Sequence, residues 1–145
     1  MTITEAITAA DTLKPNTYTS AQKIFWLSCL DGRIFREIIL THEDYEGEIF
    51  EGYASDVDTD TVLYVVHPFE DLYIYYLMAQ YAQADGEVAK YNLYITLFNN
   101  LMSSYQAYYN RTHMPSSQVT PYFNYGDTEE DDEDTVTFAL ADPLA

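Results

Sequence analysis

The sequence predicts a mainly α-helical chain. The expected architecture is a small helical bundle built on a long antiparallel helical hairpin, with an acidic loop containing a short strand and an extended C-terminal tail. Three observations lead there. Over 67–115 apolar and aromatic residues recur at helical spacing, most clearly as Val88, Tyr91, Ile95, Phe98, Met102, Tyr105 and Tyr109 on one face. Over 41–61 that period is lost, and Glu43, Asp44, Glu46, Glu48, Glu51, Asp56, Asp58 and Asp60 gather with no Lys or Arg among them. Beyond Pro115 the chain turns polar and then intensely acidic, a composition that cannot bury enough apolar surface to fold alone. Residues 1–117 therefore make one helical domain with 44–66 inserted, and 118–145 an acidic tail that orders only against a partner.

The first thirteen residues (MTITEAITAADTL) carry a short amphipathic helix, capped by Thr2 or Thr4, with Ile3, Ala6, Ile7 and Ala10 on one face. Lys14, Pro15, Asn16 and Thr17 form a turn. Thr19 or Ser20 then caps a longer helix whose apolar stripe is Ile24, Leu27, Leu30 (or Asp31), Ile34 and Ile38. Phe25, Trp26 and Phe35 fall off that stripe and are expected to face a neighbour. Gly32 weakens the helix by about 1 kcal/mol relative to Ala and marks a kink or a close crossing. In the acidic loop Gly47 and Gly52 mark turns, while Ile49, Phe50 and Tyr53 anchor it. The β-branched run 61–66 (TVLYVV) is the best strand candidate.

The hairpin begins at His67-Pro68. Proline is tolerated in a first helical turn, and Glu70 and Asp71 complement the helix dipole there. Ala84-Asp85-Gly86 interrupts the period, as a helix end with a left-handed glycine does. The second helix starts near Glu87 and stops between Arg111 and Met114, because Pro115 disfavours helical geometry at the residue before it. The hairpin is expected to be the core. In the tail, 135–140 (TVTFAL) reads as a strand or a peptide anchor.

Twenty-four Asp and Glu against six Lys and Arg give a formal charge of −18 over 145 residues. Self-repulsion of that size is offset by packing, counterions or a basic partner, and it argues against affinity for a phosphate backbone. A wall past which DNA slides, or a surface that imitates DNA, fits the charge. Cys29 is the only cysteine, so no intrachain disulfide forms and a cytosolic, reducing origin is expected. No signal peptide and no membrane span are expected. Asn110-Arg111-Thr112 is a glycosylation sequon in form, without meaning in a chain that is not secreted. Fifteen tyrosines are the other anomaly; tyrosine is over-used where one side of a residue is buried and the other wet, notably at interfaces. Rings on more than one helical face point to an oligomer.

No motif carries chemistry. Asp56, Asp58 and Asp60 open like a calcium loop, but Thr61 stands in place of the turn glycine and His67 in place of the bidentate Glu. His42, His67 and His113 lack metal-ligand spacing, and Ser28 and Cys29 lack a recognisable His and acidic partner. No glycine-rich phosphate loop is present. No catalytic residue, cofactor or metal site is expected. The candidate intersubunit contacts are Trp26, Tyr73, Tyr76, Tyr94 and Tyr108, with Arg111 and His113, which either cap helix carbonyls or meet a neighbour's carboxylates. The candidate acidic surface is Asp56, Asp58 and Asp60 together with Glu129, Glu130, Asp131 and Asp132.

Two blocks resemble a known family. LKPNTYTSAQKIFWLSCLDGRIFREIILTHE is similar to the LKPN-x-Y opening, followed by K-x-x-WL-x-x-LDG-x-I, of small proteins from tailed phages and prophages of Gram-positive gut bacteria. HPFEDLYIYYLMAQYAQADGEVAKYNLYITLFNNLMSSYQAYYNRTHMP resembles their second block, with its DLYIYYL start and YYNRTHMP end. The resemblance covers 10–43 and 67–115 and leaves out the loop 44–62 and the tail, whose acidic run at 127–134 departs from the pattern. It implies a head–tail connector (adaptor) protein of the virion: a ring, usually dodecameric, beneath the portal protein and against neighbouring neck or tail proteins. DNA passes through without specific binding, no membrane is involved, and assembly takes place in the bacterial cytoplasm. The competing reading is an acidic DNA-mimic inhibitor of a host nucleic-acid-binding protein, which explains the charge but not the aromatic, nearly charge-free pattern of the hairpin.

Overall fold

A computed structural model describes residues 1–42 and 45–114; Glu43, Asp44 and everything from Pro115 onward lie outside the described residues. The expectations placed on Glu129, Glu130, Asp131, Asp132, the segment 135–140 and the tail as a whole fall there. The described chain is mainly helical: α1 (Ile3–Leu13), α2 (Ser20–Ile34), α3 (Asp71–Asp85) and α4 (Val88–Thr112), with a π-helical turn, Phe35–Ile39, continuing α2.

The capping residues set the helix starts. Thr2 Oγ1 accepts the Glu5 N–H at 3.2 Å, and Thr19 Oγ1 accepts the Gln22 N–H at 3.2 Å. From α1, Ile3, Ala6 and Ala10 are buried; from α2, Ile24, Leu27, Leu30 and Ile34. At the end of α2 the Leu40 N–H bonds to the Phe35 carbonyl at 2.8 Å, five residues back. The wider turn rotates the face that follows, and Phe35, Ile38 and Ile39 are all buried. Phe35 therefore belongs to the core, where it stacks near Tyr64 at 5.7 Å, and does not face a neighbour.

A cis peptide joins His67 to Pro68, and α3 begins only at Asp71. Leu72, Tyr73, Leu77, Met78, Ala79, Tyr81 and Ala82 are buried, which surrounds α3 on most sides. It packs against α1, α2 and α4 and is the axis of the bundle. Gly86 ends it in the left-handed conformation (φ 77°), with the Glu87 N–H returning to the Ala82 carbonyl at 2.9 Å. A side chain at this φ would be strained.

The second helix of the pair corrects the expectation that both helices form the core. α4 runs for 25 residues, about 37 Å, and leans chiefly on α3. Of its stripe only Phe98 and Tyr105 are buried; Tyr91, Ile95 and Met102 are half-buried and Val88 is exposed. The core lies instead between α1, α2 and α3.

No strand forms among the described residues. Val62 makes one antiparallel bridge with Thr2, and the Leu63 N–H reaches the Met1 carbonyl at 3.0 Å. The β-branched run keeps its period of two, since Leu63 and Val65 are buried while Val62 and Val66 are exposed. Among the described residues its one backbone bridge is to the short segment before α1, which is too brief to extend the ladder. Local pattern supplied a pleated face but no partner strand.

Candidate functional site

Three polar clusters use up most of the distinctive side chains. At the lower end, the Asp31 carboxylate is fully buried and accepts the Tyr73 hydroxyl at 2.5 Å and the Tyr53 hydroxyl at 2.6 Å. The Tyr64 N–H adds a long contact at 3.4 Å, and Tyr73 in turn accepts the Val65 N–H at 2.9 Å. Ser28 Oγ accepts the Tyr53 N–H at 2.9 Å. One carboxylate thus ties the irregular segment to both α2 and α3. Burial pushes its pKa up against the opposing pull of the tyrosine hydroxyls, and burial beside Asp31 pushes the Tyr73 phenol well up.

At the opposite end, Asp11 accepts Lys23 at 2.8 Å, Tyr81 at 2.8 Å and Asn16 at 2.9 Å. Burial raises the Asp11 carboxyl, but these three donors more than offset it and its pKa is lowered. The LKPN turn reaches across to the junction of α3 and α4: Lys14 pairs with Glu87 at 2.5 Å, and the Tyr18 hydroxyl bonds Asp85 at 2.5 Å. Tyr18, Trp26 and Tyr81 pack ring on ring at 5.6–5.9 Å. The third cluster joins the π-helical turn to the end of α4. His42 Nδ1 donates to the Ile38 carbonyl at 2.6 Å, its Nε2 meets the Asn110 side chain at 3.1 Å, and its ring stands edge-on to Tyr109.

These clusters relocate several of the predicted contacts. Tyr73 is fully buried in the Asp31 network and cannot meet a neighbour. Trp26 is half-buried and has its aromatic partners within the chain. Tyr76 is half-buried against Phe98 at 5.3 Å, and Tyr94 is half-buried beside the core. Tyr108 leans on Phe69 at 5.2 Å and lines a groove of about 270 Å³ with Tyr45, Tyr64, Tyr105, Tyr109 and His113. His113 stacks flat on Tyr109 at 3.8 Å, and the exposed Arg111 lies in the last turn of α4. Of these candidates Tyr108 and His113 share that groove, while Trp26, Tyr76 and Tyr94 pack against other parts of the chain, so the set does not form one surface.

The acidic residues stay outside. Asp56, Asp58 and Asp60 are exposed, as are Glu46, Glu48 and Glu51. Asp58 Oδ1 accepts the Asp60 N–H at 3.0 Å, an Asx turn rather than a ligand shell. Among the described residues, no group of three His, Cys, Asp or Glu converges as metal ligands. No described helix is long and apolar enough to cross a membrane. Apolar side chains also remain on the outside: Phe25, Ile49, Val88, Leu93 and Leu97 among them. The described surface thus carries both exposed carboxylates and exposed apolar side chains. Sequence reasoning missed Asp31 and Asp11 as organising groups. The signal for Asp31 was present, since it falls beside Leu30 on the apolar stripe. No known protein family, curated protein or solved structure matches this chain.

Proposed function

We propose that this chain is a structural virion protein, a head–tail connector whose copies form a ring beneath the portal and extend the DNA channel toward the tail. The observation that carries this reading is how the two resembling blocks meet. Asp11 with Tyr81, Lys14 with Glu87, Tyr18 with Asp85, Asp31 with Tyr73 and His42 with Asn110 each join a residue of the first block to one of the second. The quoted motifs are spent on holding one bundle together, as expected where a resemblance reflects a shared fold rather than a shared active site. In this reading the hairpin of α3 and α4 is the wall element, and the exposed apolar side chains of α4 serve contacts with the ring's surroundings. The loop bearing Asp56, Asp58 and Asp60 keeps DNA phosphates from adhering through like-charge repulsion.

The exposed carboxylates between 46 and 60 favour a second reading, an acidic DNA mimic that occupies the basic cleft of a host protein. The two differ in what they bind. Mixed with a cognate portal protein, the purified chain is expected to co-sediment with portal and to leave DNA binding by basic host proteins unaffected. Failure to bind portal, together with displacement of DNA from a basic protein, would replace the connector reading with the mimic.

A further inference from the structure

The chain's few cations divide sharply. All three lysines are paired within the protomer: Lys14 with Glu87, Lys23 with Asp11, and Lys90 with Glu87. None of the three arginines (Arg33, Arg36, Arg111) has a carboxylate within ion-pair distance among the described residues, although the chain carries a formal −18. Two of them share a surface. Phe25, Cys29, Arg33 and Arg36 follow one another at helical spacing along the outer side of α2 and its π-helical turn, and all four are exposed, Phe25 by 58%.

Among the described residues the acidic loop lies alongside without satisfying them. Its backbone is pinned to α2 by the Tyr53 N–H on Ser28, and Phe50 approaches to 3.9 Å of where a Cβ on Gly32 would stand. Yet its own Glu46, Glu48 and Glu51 make no ion pair with Arg33 or Arg36. Those carboxylates flank Ile49, itself 51% exposed. The molecule therefore carries two different patches with matching chemistry. One is an aromatic ring followed by two arginines; the other is an aliphatic knob between carboxylates.

We infer that the outer stripe of α2 (Phe25, Cys29, Arg33, Arg36) receives the acidic loop around Ile49 of a second copy of this chain. This deepens the connector reading and rests on it. Ile49 packs on Phe25, and Glu48 and Glu51 take the arginines, whose planar guanidinium groups match carboxylates in a two-pronged bond. Joining two different patches, the contact closes a ring when it repeats head-to-tail around an axis, whereas reciprocal use of both patches by one pair would close a two-fold dimer. Placing the unpaired arginines at the seam also answers the self-repulsion of strongly acidic copies, since each junction brings cations against the neighbour's carboxylates.

Charge reversal and rescue on the full chain, read by sedimentation velocity, tests this. Arg33→Glu/Arg36→Glu and, separately, Glu48→Lys/Glu51→Lys are each expected to weaken self-association about 100-fold or more. Mixing the two variants pairs reversed arginines with reversed glutamates and is expected to restore heterotypic association to within about tenfold of the wild type. All four side chains are exposed and form no ion pair among the described residues, so thermal melting of each variant stays near that of the wild type and separates a lost seam from a lost fold. Assembly that persists in either variant, or a mixture that stays dissociated, overturns the inference while leaving the connector reading intact. A wild-type chain that assembles neither alone nor with portal overturns both.

Discussion

Replacing Asp31 by alanine is expected to lower stability by about 3–4 kcal/mol. The carboxylate removed is fully buried and accepts two phenols, at 2.5 and 2.6 Å. Truncation strands both hydroxyls and opens a cavity where α2, α3 and the irregular segment converge. Asp31→Asn keeps one acceptor oxygen but turns an amide N–H₂ toward donors, so it should cost less, about 1–2 kcal/mol. The pH dependence has a definite sign. Burial raises the folded carboxyl above its unfolded value, so its contribution is fully present below the unfolded pKa and is lost as pH rises through the folded one. Urea midpoints measured across the acidic range should show that slope in the wild type and a flatter one in Asp31→Asn. An Asp31→Ala chain with an unchanged midpoint would mean that the network does not hold the fold.

Above about pH 10 the fold is expected to fail cooperatively. Tyr73, Tyr81 and Tyr105 are buried, and burial is the leading cause that pushes each phenol upward. In the unfolded chain they ionise near the ordinary value, so protons leave the unfolded state first and stability falls with rising pH. Three such phenols alone impose a slope of about 4 kcal/mol per pH unit once the unfolded phenols ionise. Phenolate absorbance should therefore rise in two stages, with the less buried tyrosines titrating gradually and the buried ones appearing together with the loss of helical circular dichroism. A smooth titration of all fifteen tyrosines with the helices intact would contradict this packing.

The helices were legible because their signals are local. Thr2 and Thr19 cap where hydroxyl residues precede an apolar period, and Gly86 breaks the pattern between α3 and α4 at positive φ. What escaped the sequence is set by contacts distant along the chain. Tyr53 and Tyr73 lie 22 and 42 residues from Asp31, and nothing in their spacing separates a phenol that satisfies a buried carboxylate from one that meets a neighbour. Tyr73 was misplaced for that reason. Phe35 was misplaced because it follows the buried Asp31 by four residues on the same face, while the apolar stripe in the sequence runs through Leu30 and Ile34 instead. The run 61–66 has the alternation of a strand, but a strand also needs a partner, and the segment before α1 offers a single bridge. Of the candidate interaction surface, the acidity was legible and the isolation of the arginines was not. Only the folded chain shows that the lysines take carboxylate partners from within the protomer.

The central claim is that this bundle assembles into a ring on the portal, and electron microscopy in negative stain tests it most directly. Images of the purified protein, alone and mixed with the cognate portal, are expected to show a cyclic ring, free or stacked coaxially on the portal. Small, unsymmetrical particles of single copies or dimers, with bare portals beside them, would contradict the account.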